Sequence, residues 1–225
     1  MRVMSILTAR TLAFMELGEL NLGGKVFLPD LVTKLNERYQ FSSNNSTDKA
    51  DLKEKGLVFE SGYWQGHSIK KLSFNPSITY VEGEESTDIS QQILIDLLEW
   101  AQKELGANFT PHSIQRWAFV SDIVFQSDFP LLFGQNKVLN SVAERMAQAV
   151  QENLREKLDF QPAQLALGHD PQKRSTVVAP FSIQHRVNTL FEDNIFFAEA
   201  PIPTSLHLEL LEEIETEFRK TYESR

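Results

Sequence analysis

Several side chains that could do chemistry lie close together in the segment 165–187, which reads LALGHDPQKRSTVVAPFSIQHRV. His169, Asp170 and His185 could form a metal site or a proton-transfer group if they converged on one place. Strand alternation instead predicts a β-hairpin with its turn near 172–173, and about 3.3 Å per residue then separates the two imidazole rings by roughly 30 Å. We therefore expect an ordinary hairpin in which each histidine ring needs only one hydrogen bond.

The segment 18–26, GELNLGGKV, has the glycines and the lysine of a phosphate-binding loop. A phosphate-binding loop has four residues between its first glycine and the Gly-Lys pair, followed by a serine or threonine that holds magnesium. Here Gly18 lies five residues before Gly24, and Val26 takes the place of the hydroxyl residue. The pattern indicates a turn that uses the conformational freedom of glycine rather than a nucleotide site.

Asp122 lies inside the segment 114–125, IQRWAFVSDIVF, which predicts a strand with apolar residues on both faces. An ionised carboxylate in such a place needs a partner, because burial without one is costly. A structural ion pair with Arg116 or Arg186 would supply it. The alternative is a metal ligand of a hydrolase or nuclease, although no second acid followed by a lysine stands nearby in the sequence.

The connection 128–136, DFPLLFGQN, is unusually apolar for a segment between a strand and a helix. Connections normally run over the surface, so these large side chains either fold back over the core or cover another chain. The candidate protein-contact residues are Phe129, Leu131, Leu132 and Phe133.

Composition limits the classes of function. The chain has 22 Lys and Arg against 31 Asp and Glu, a net charge of -9, and this charge argues against nucleic acid as the main ligand. The absence of cysteine removes disulfides, thiolate zinc sites and cysteine nucleophiles, and it fits a reducing compartment. No apolar run is long enough to span a bilayer and no export signal is evident, so we expect a soluble, cytoplasmic protein.

The first half of the sequence predicts the order β-α-β-β-α-β. The strands are expected at 8–20, 57–64, 68–81 and 114–125, and the helices at 29–39 and 87–105. Pro76 predicts an edge or a bulge in the third strand, and the polar segment 42–56 predicts a mobile loop. The helix at 87–105 has Thr87 or Asp88 as its expected N-cap and Gly106 just beyond its end.

The second half predicts a helix with apolar residues every four positions from Val138 to Leu158, the hairpin, a strand near 194–200, and a last helix from Ser205. The expected fold class is therefore α+β. A ferredoxin-like β-α-β-β-α-β unit at 1–126 is extended by α-β-β-β-α at 127–225, in one domain around a mainly antiparallel sheet.

No stretch matches a chemical motif well enough to name a reaction, a cofactor or a metal. We therefore expect a non-catalytic protein that binds a protein partner or a second copy of itself, as an adaptor or assembly subunit. The alternative is a metal-dependent hydrolase or nuclease centred on Asp122, with its other ligands drawn from distant positions. Fold alone does not choose between them.

Overall fold

The computed structural model describes residues 1–21, 24, 26–44, 56–132, 137–154, 158, 160–170, 172 and 178–223. The strands are β1 (Arg2–Phe14), β2 (Ser43–Asn44), β3 (Leu57–Trp64), β4 (His67–Asn75), β5 (Ile78–Gly83), β6 (Arg116–Gln126), β7 (Gln164–Leu167), β8 (Phe181–His185) and β9 (Ile195–Ala200). The helices are α1 (Leu17–Leu20), α2 (Leu28–Tyr39), α3 (Thr87–Leu105), α4 (Lys137–Leu154) and α5 (Thr204–Glu223).

The chain divides into two compact units. The N-terminal unit contains Ile6–Ser121 and Ile202–Ser205, and the C-terminal unit contains Met1–Ser5, Asp122–Pro201 and Leu206–Arg225. Helices accompany antiparallel strands in each, so the α+β class is confirmed. The grouping of the whole chain into one domain stays a prediction.

The sheet of the N-terminal unit has the strand order β2-β3-β4-β5-β1-β6. The predicted third strand, 68–81, is in fact two antiparallel strands, β4 and β5, in which Lys71 pairs with Glu82. Pro76 lies in the turn between them rather than at a bulge. Proline donates no hydrogen bond and fits a turn better than a ladder, so the chain reverses there and the unit gains a strand.

The first strand also differs from its prediction. It was expected over 8–20, but β1 ends at Phe14 and α1 follows it. The inward positions of β1 are small or polar, with Ala9, Thr11 and Ala13 all buried. Within the predicted loop 42–56, Ser43 and Asn44 form β2, while 45–55 lies outside the described residues.

Helix α3 follows its predicted apolar spacing closely. Its N-cap is Ser86, whose Oγ accepts a hydrogen bond from the Ile89 N–H at 3.2 Å, so the expected cap at Thr87 or Asp88 was wrong by one or two positions. Gly106 ends the helix with a φ of 69°, as predicted. The core of the unit combines this helix with α2 and the sheet, through Leu35, Tyr39, Phe59, Leu72, Val81, Ile93, Leu94 and Leu97.

A pair of buried threonines fixes the start of α3. The Thr87 N–H donates to Thr204 Oγ1 at 3.1 Å, and the Thr204 N–H donates to Thr87 Oγ1 at 2.8 Å. Thr11 Oγ1 donates to the Thr87 carbonyl at 2.8 Å. Each threonine therefore satisfies backbone groups that burial would otherwise leave without partners.

The strands of the C-terminal unit follow the order β6-β9-β8-β7. The predicted hairpin is present, with β7 and β8 antiparallel and Leu165 opposite Ile183. Helix α5 begins at Thr204, one residue before its predicted start, and buries His207 and Leu211. In the described part of the chain, no helix has both the length and the apolar character needed to cross a membrane.

Candidate functional site

The two histidines of the hairpin have different structural roles. His169 is exposed, and its Nε2 accepts a hydrogen bond from the Val178 N–H at 3.1 Å, which bridges the two sides of the loop. This contact is the single hydrogen bond expected for a structural ring. His169 therefore has a local role in closing the hairpin.

His185 is partly buried between two aromatic rings. The centroids of Phe191 and Phe196 each lie 4.5 Å from the centroid of the imidazole. Burial lowers the pKa of His185 below its usual value of 6.5. Its Nδ1 is buried and has no hydrogen-bond partner among the described residues. Aromatic packing thus explains the position of the His185 ring.

Asp122 lies on β6, and the neighbouring strand β9 carries a second carboxylate at Glu199. Burial raises the pKa of Glu199, and the negative charge of Asp122 raises it further. The two carboxylates are thus close enough to interact, although no motif in the sequence predicted this pairing. Like charges held together favour a shared proton or a bound cation.

The other requirement of a metal centre is a third ligand. No group of three histidine, aspartate or glutamate side chains in the described residues is arranged to hold a metal ion. Asp122 and Glu199 therefore form a pair of interacting acids in the C-terminal unit.

The glycine-containing segment forms a local turn. Gly18 lies in α1, and Gly24 has a φ of 66°, while Gly23 and Lys25 lie outside the described residues. The side chain of Asn21 closes the turn, because its Oδ1 accepts from the Val26 N–H at 2.8 Å and its Nδ2 donates to the Val26 carbonyl at 3.0 Å. This clamp supports the interpretation as a turn.

The apolar connection after β6 packs inside the chain. Phe129, Leu131 and Leu132 are each at most 8% exposed, and Phe133 lies outside the described residues. The Phe129 ring contacts Tyr222 with a centroid distance of 5.9 Å. Of the two alternatives for this segment, burial supports folding back over the core. The three described residues are therefore not available as a contact surface for another protein, which corrects their assignment.

Helix α4, unlike the connection after β6, has exposed apolar side chains. Its apolar residues were predicted to recur every four positions along a helix, and Val138, Leu139, Val142, Met146 and Leu154 are between 46% and 70% exposed. We name these five residues the α4 apolar surface. Leu158, the last member of the predicted stripe, lies beyond the end of the helix. The spacing predicted an amphipathic helix correctly, but spacing alone does not tell whether the apolar side packs on its own chain.

An apolar cavity of about 320 Å³ lies in the N-terminal unit. Its walls are mainly leucines, including Leu17, Leu20, Leu31 and Leu97. An apolar cavity of about half this size can bind benzene. The amide of Asn21 in its lining already bonds to Val26, so the cavity offers little polar contact to orient a ligand.

No protein-family model matches the chain, and a comparison with curated proteins finds no significant match. The function is therefore inferred from the residues described above.

Proposed function

We propose that the protein binds another protein through the α4 apolar surface and acts as a non-catalytic adaptor or assembly subunit. The observation that supports this proposal is the exposure of large apolar side chains along one helix. Val142 is 46% exposed, Met146 is 47% exposed and Leu154 is 63% exposed. Single exposed apolar residues are common on protein surfaces, but a group of them on one element is typical of an interaction site.

The spacing of these residues suits one mode of recognition. Val138, Val142 and Met146 are four residues apart, so they follow one side of the helix. An amphipathic helix with anchors at this spacing docks into an apolar groove of its partner. The methionine adds a flexible side chain that adapts to grooves of different shape.

The partner in this proposal is a different protein rather than a second copy. Two copies would each carry a net charge of -9, and like charges oppose association. A basic or neutral partner avoids this repulsion. A cytoplasmic location is part of the same proposal, and the absence of cysteine supports it.

The experiment compares two double variants of α4. Val142→Asp with Met146→Asp places charges on the α4 apolar surface, and Ser141→Asp with Gln148→Asp places the same number of charges on the polar side of the same helix. The wild type and the two double variants are each used to capture proteins from a lysate of the source organism. Hydrogen exchange of the purified complex then shows whether residues 138–150 are protected.

We expect at least one captured protein that binds to the wild type and to the Ser141→Asp, Gln148→Asp variant. The Val142→Asp, Met146→Asp variant should not bind that protein. Protection of α4 in the complex would support the surface directly. Equal capture by all three proteins would contradict the proposal. Sedimentation of wild type alone tests the second copy, because a dimer disrupted only by the Val142 and Met146 change would identify self-association instead.

A metal-dependent hydrolase or nuclease centred on Asp122 remains the second candidate. The observation that favours it is the interaction of Asp122 with Glu199, which raises the pKa of Glu199. Titration of the protein with Mg²⁺ or Mn²⁺, followed by the NMR signals of β6 and β9, tests it. Shifts that disappear in Asp122→Asn would favour the enzyme, and unchanged spectra would remove it.

We also infer that the N-terminal unit is a ferredoxin-like arrangement with two added strands. If β2 and β3 are treated as the additions, the order β-α-β-β-α-β is that of β1, α2, β4, β5, α3 and β6. The position of β5 between β4 and β1 in the sheet agrees with this assignment. Superposition of an experimental structure on ferredoxin-like proteins would test it.

A further inference from the structure

A second feature of α4 is a pocket on another side of the helix, within the C-terminal unit. Its volume is about 580 Å³, which is in the range of ligand sites. The residues that line it are Pro130, Asn140, Glu144, Ala147, Phe160, Gln161, Phe191, Glu192 and Asn194. Three of them are on α4, so this helix contributes both to the pocket and to the α4 apolar surface.

The polar groups of the pocket are mainly hydrogen-bond acceptors. Glu144 and Glu192 supply two carboxylates, and neither forms an ion pair within the described residues. The side-chain oxygens of Asn140 and Asn194 are buried and accept no hydrogen bond from the part of the chain that the structure describes. Buried acceptors without donors are uncommon, because each loses its bonds to water.

Aromatic rings complete the lining. Phe160 and Phe191 both border the pocket and are about one-third exposed, with values of 37% and 39%. The face of an aromatic ring attracts a cation, and a guanidinium group also stacks on it. Two carboxylates and two aromatic rings together match a planar cation that has many N–H donors.

We propose that this pocket receives an arginine side chain of the protein partner. This inference rests on the proposed function, because it assigns a chemical feature to the partner that the α4 apolar surface binds. The guanidinium has five N–H donors in a fixed plane, enough to bond both carboxylates at once. The net charge of -9 also favours a basic partner over a second copy.

Arginine suits the pocket better than the other cations that carboxylates bind. A lysine ammonium has three donors on a compact head, so it satisfies fewer of the acceptors at once. A calcium ion takes oxygen ligands only and gains nothing from Phe160 and Phe191. The rings therefore favour an organic cation, and the number of acceptors favours a guanidinium.

The test uses a small probe and does not depend on the partner. N-acetyl-arginine methylamide is titrated into the full chain and followed by the amide signals of Asn140, Asn194 and the α4 backbone. N-acetyl-citrulline methylamide is the matched neutral probe, because it has the same shape without the charge. The variants are Glu144→Gln and Glu192→Gln, with Glu152→Gln as the control on the same helix outside the pocket lining.

We expect saturable shifts with the arginine probe and none with the citrulline probe. Each of the two pocket variants should weaken binding about tenfold, since a hydrogen bond to a charged group contributes about that much to affinity, while Glu152→Gln should leave it unchanged. Binding should also weaken as salt is added. Equal shifts with citrulline, tighter binding of the lysine analogue or of Ca²⁺, or the absence of arginine shifts would each overturn the inference.

Failure of this inference is distinguishable from failure of the proposed function. If the arginine probe does not bind but partner capture still depends on Val142 and Met146, the pocket assignment is wrong and the α4 proposal stands. If the probe binds but no captured protein depends on Val142 and Met146, the pocket binds guanidinium groups and its assignment to the partner is wrong.

Discussion

The packing of the connection after β6 can be tested by Leu131→Ala. Leu131 is fully buried, whereas the sequence left open whether this segment covers another chain. Removing a fully buried leucine side chain costs its transfer free energy plus a term for the cavity that remains. Series of such substitutions give about 3 to 5 kcal/mol, and we expect a loss of about 3 kcal/mol in the free energy of unfolding.

The assay is urea denaturation followed by two signals. Circular dichroism reports helix and strand content in the whole chain. Tryptophan fluorescence reports the N-terminal unit, because Trp64, Trp100 and Trp117 all belong to it. With an m-value of about 1 to 3 kcal/mol/M, a loss of about 3 kcal/mol lowers the dichroism midpoint by roughly 1 to 3 M.

The control is Val142→Ala, because Val142 is 46% exposed and its truncation should change the free energy of unfolding by about 0.5 kcal/mol or less.

Leu132→Asp should also destabilise the fold, since Leu132 is 6% exposed and a charge there would be buried without a partner. A free energy of unfolding of Leu131→Ala within about 0.5 kcal/mol of the wild-type value would contradict the prediction for that variant, because the segment would then lie outside the core.

Three other predictions concern single side chains. Burial and the charge of Asp122 raise the pKa of Glu199, so the folded state binds the carboxyl proton more tightly than the unfolded state does. The folded state therefore loses stability as the pH rises above about 4.5. Glu199→Gln should raise the melting temperature at pH 7 and have no such effect at pH 4. Burial lowers the pKa of His185, so the native state should lose stability as the pH falls through 6.5. An NMR titration of the His185 ring should have its midpoint below 6.5, and a midpoint at or above 6.5 would contradict this prediction. Ala101→Leu partly fills the apolar cavity of the N-terminal unit and should raise the melting temperature by about 2 to 4 °C in a thermal scan. A melting temperature below that of the wild type would mean that the cavity cannot accept the larger side chain.

Local signals in the sequence predicted most elements of the fold. The leucines and isoleucines of α3 have a clear helical period, and Gly106 marks its end, so this helix was predicted well. Its N-cap was misplaced because Ser86, Thr87 and Asp88 are all residues that cap helices. Pro76 was taken to indicate an edge or a bulge within one strand, whereas the chain reverses there, because proline fits turns as well.

The candidate site was predicted poorly because it depends on packing between distant segments. Asp122 and Glu199 interact only because β6 and β9 are neighbours in the sheet, and strand order is not a local property. The apolar spacing of α4 is the same whether the helix packs on its own chain or presents Met146 to solvent. Burial of Leu131 and exposure of Met146 are therefore properties of the tertiary structure rather than of the local sequence.

The pair of threonines at the start of α3 has a consequence for folding during synthesis. Thr87 and Thr204 are separated by 117 positions in the chain. At about 5 to 20 residues per second, a ribosome needs roughly 6 to 23 s to add the second threonine after the first. During that interval water occupies the donor at the first turn of α3, and the N-terminal unit closes this end of the helix only after residue 204 has been translated.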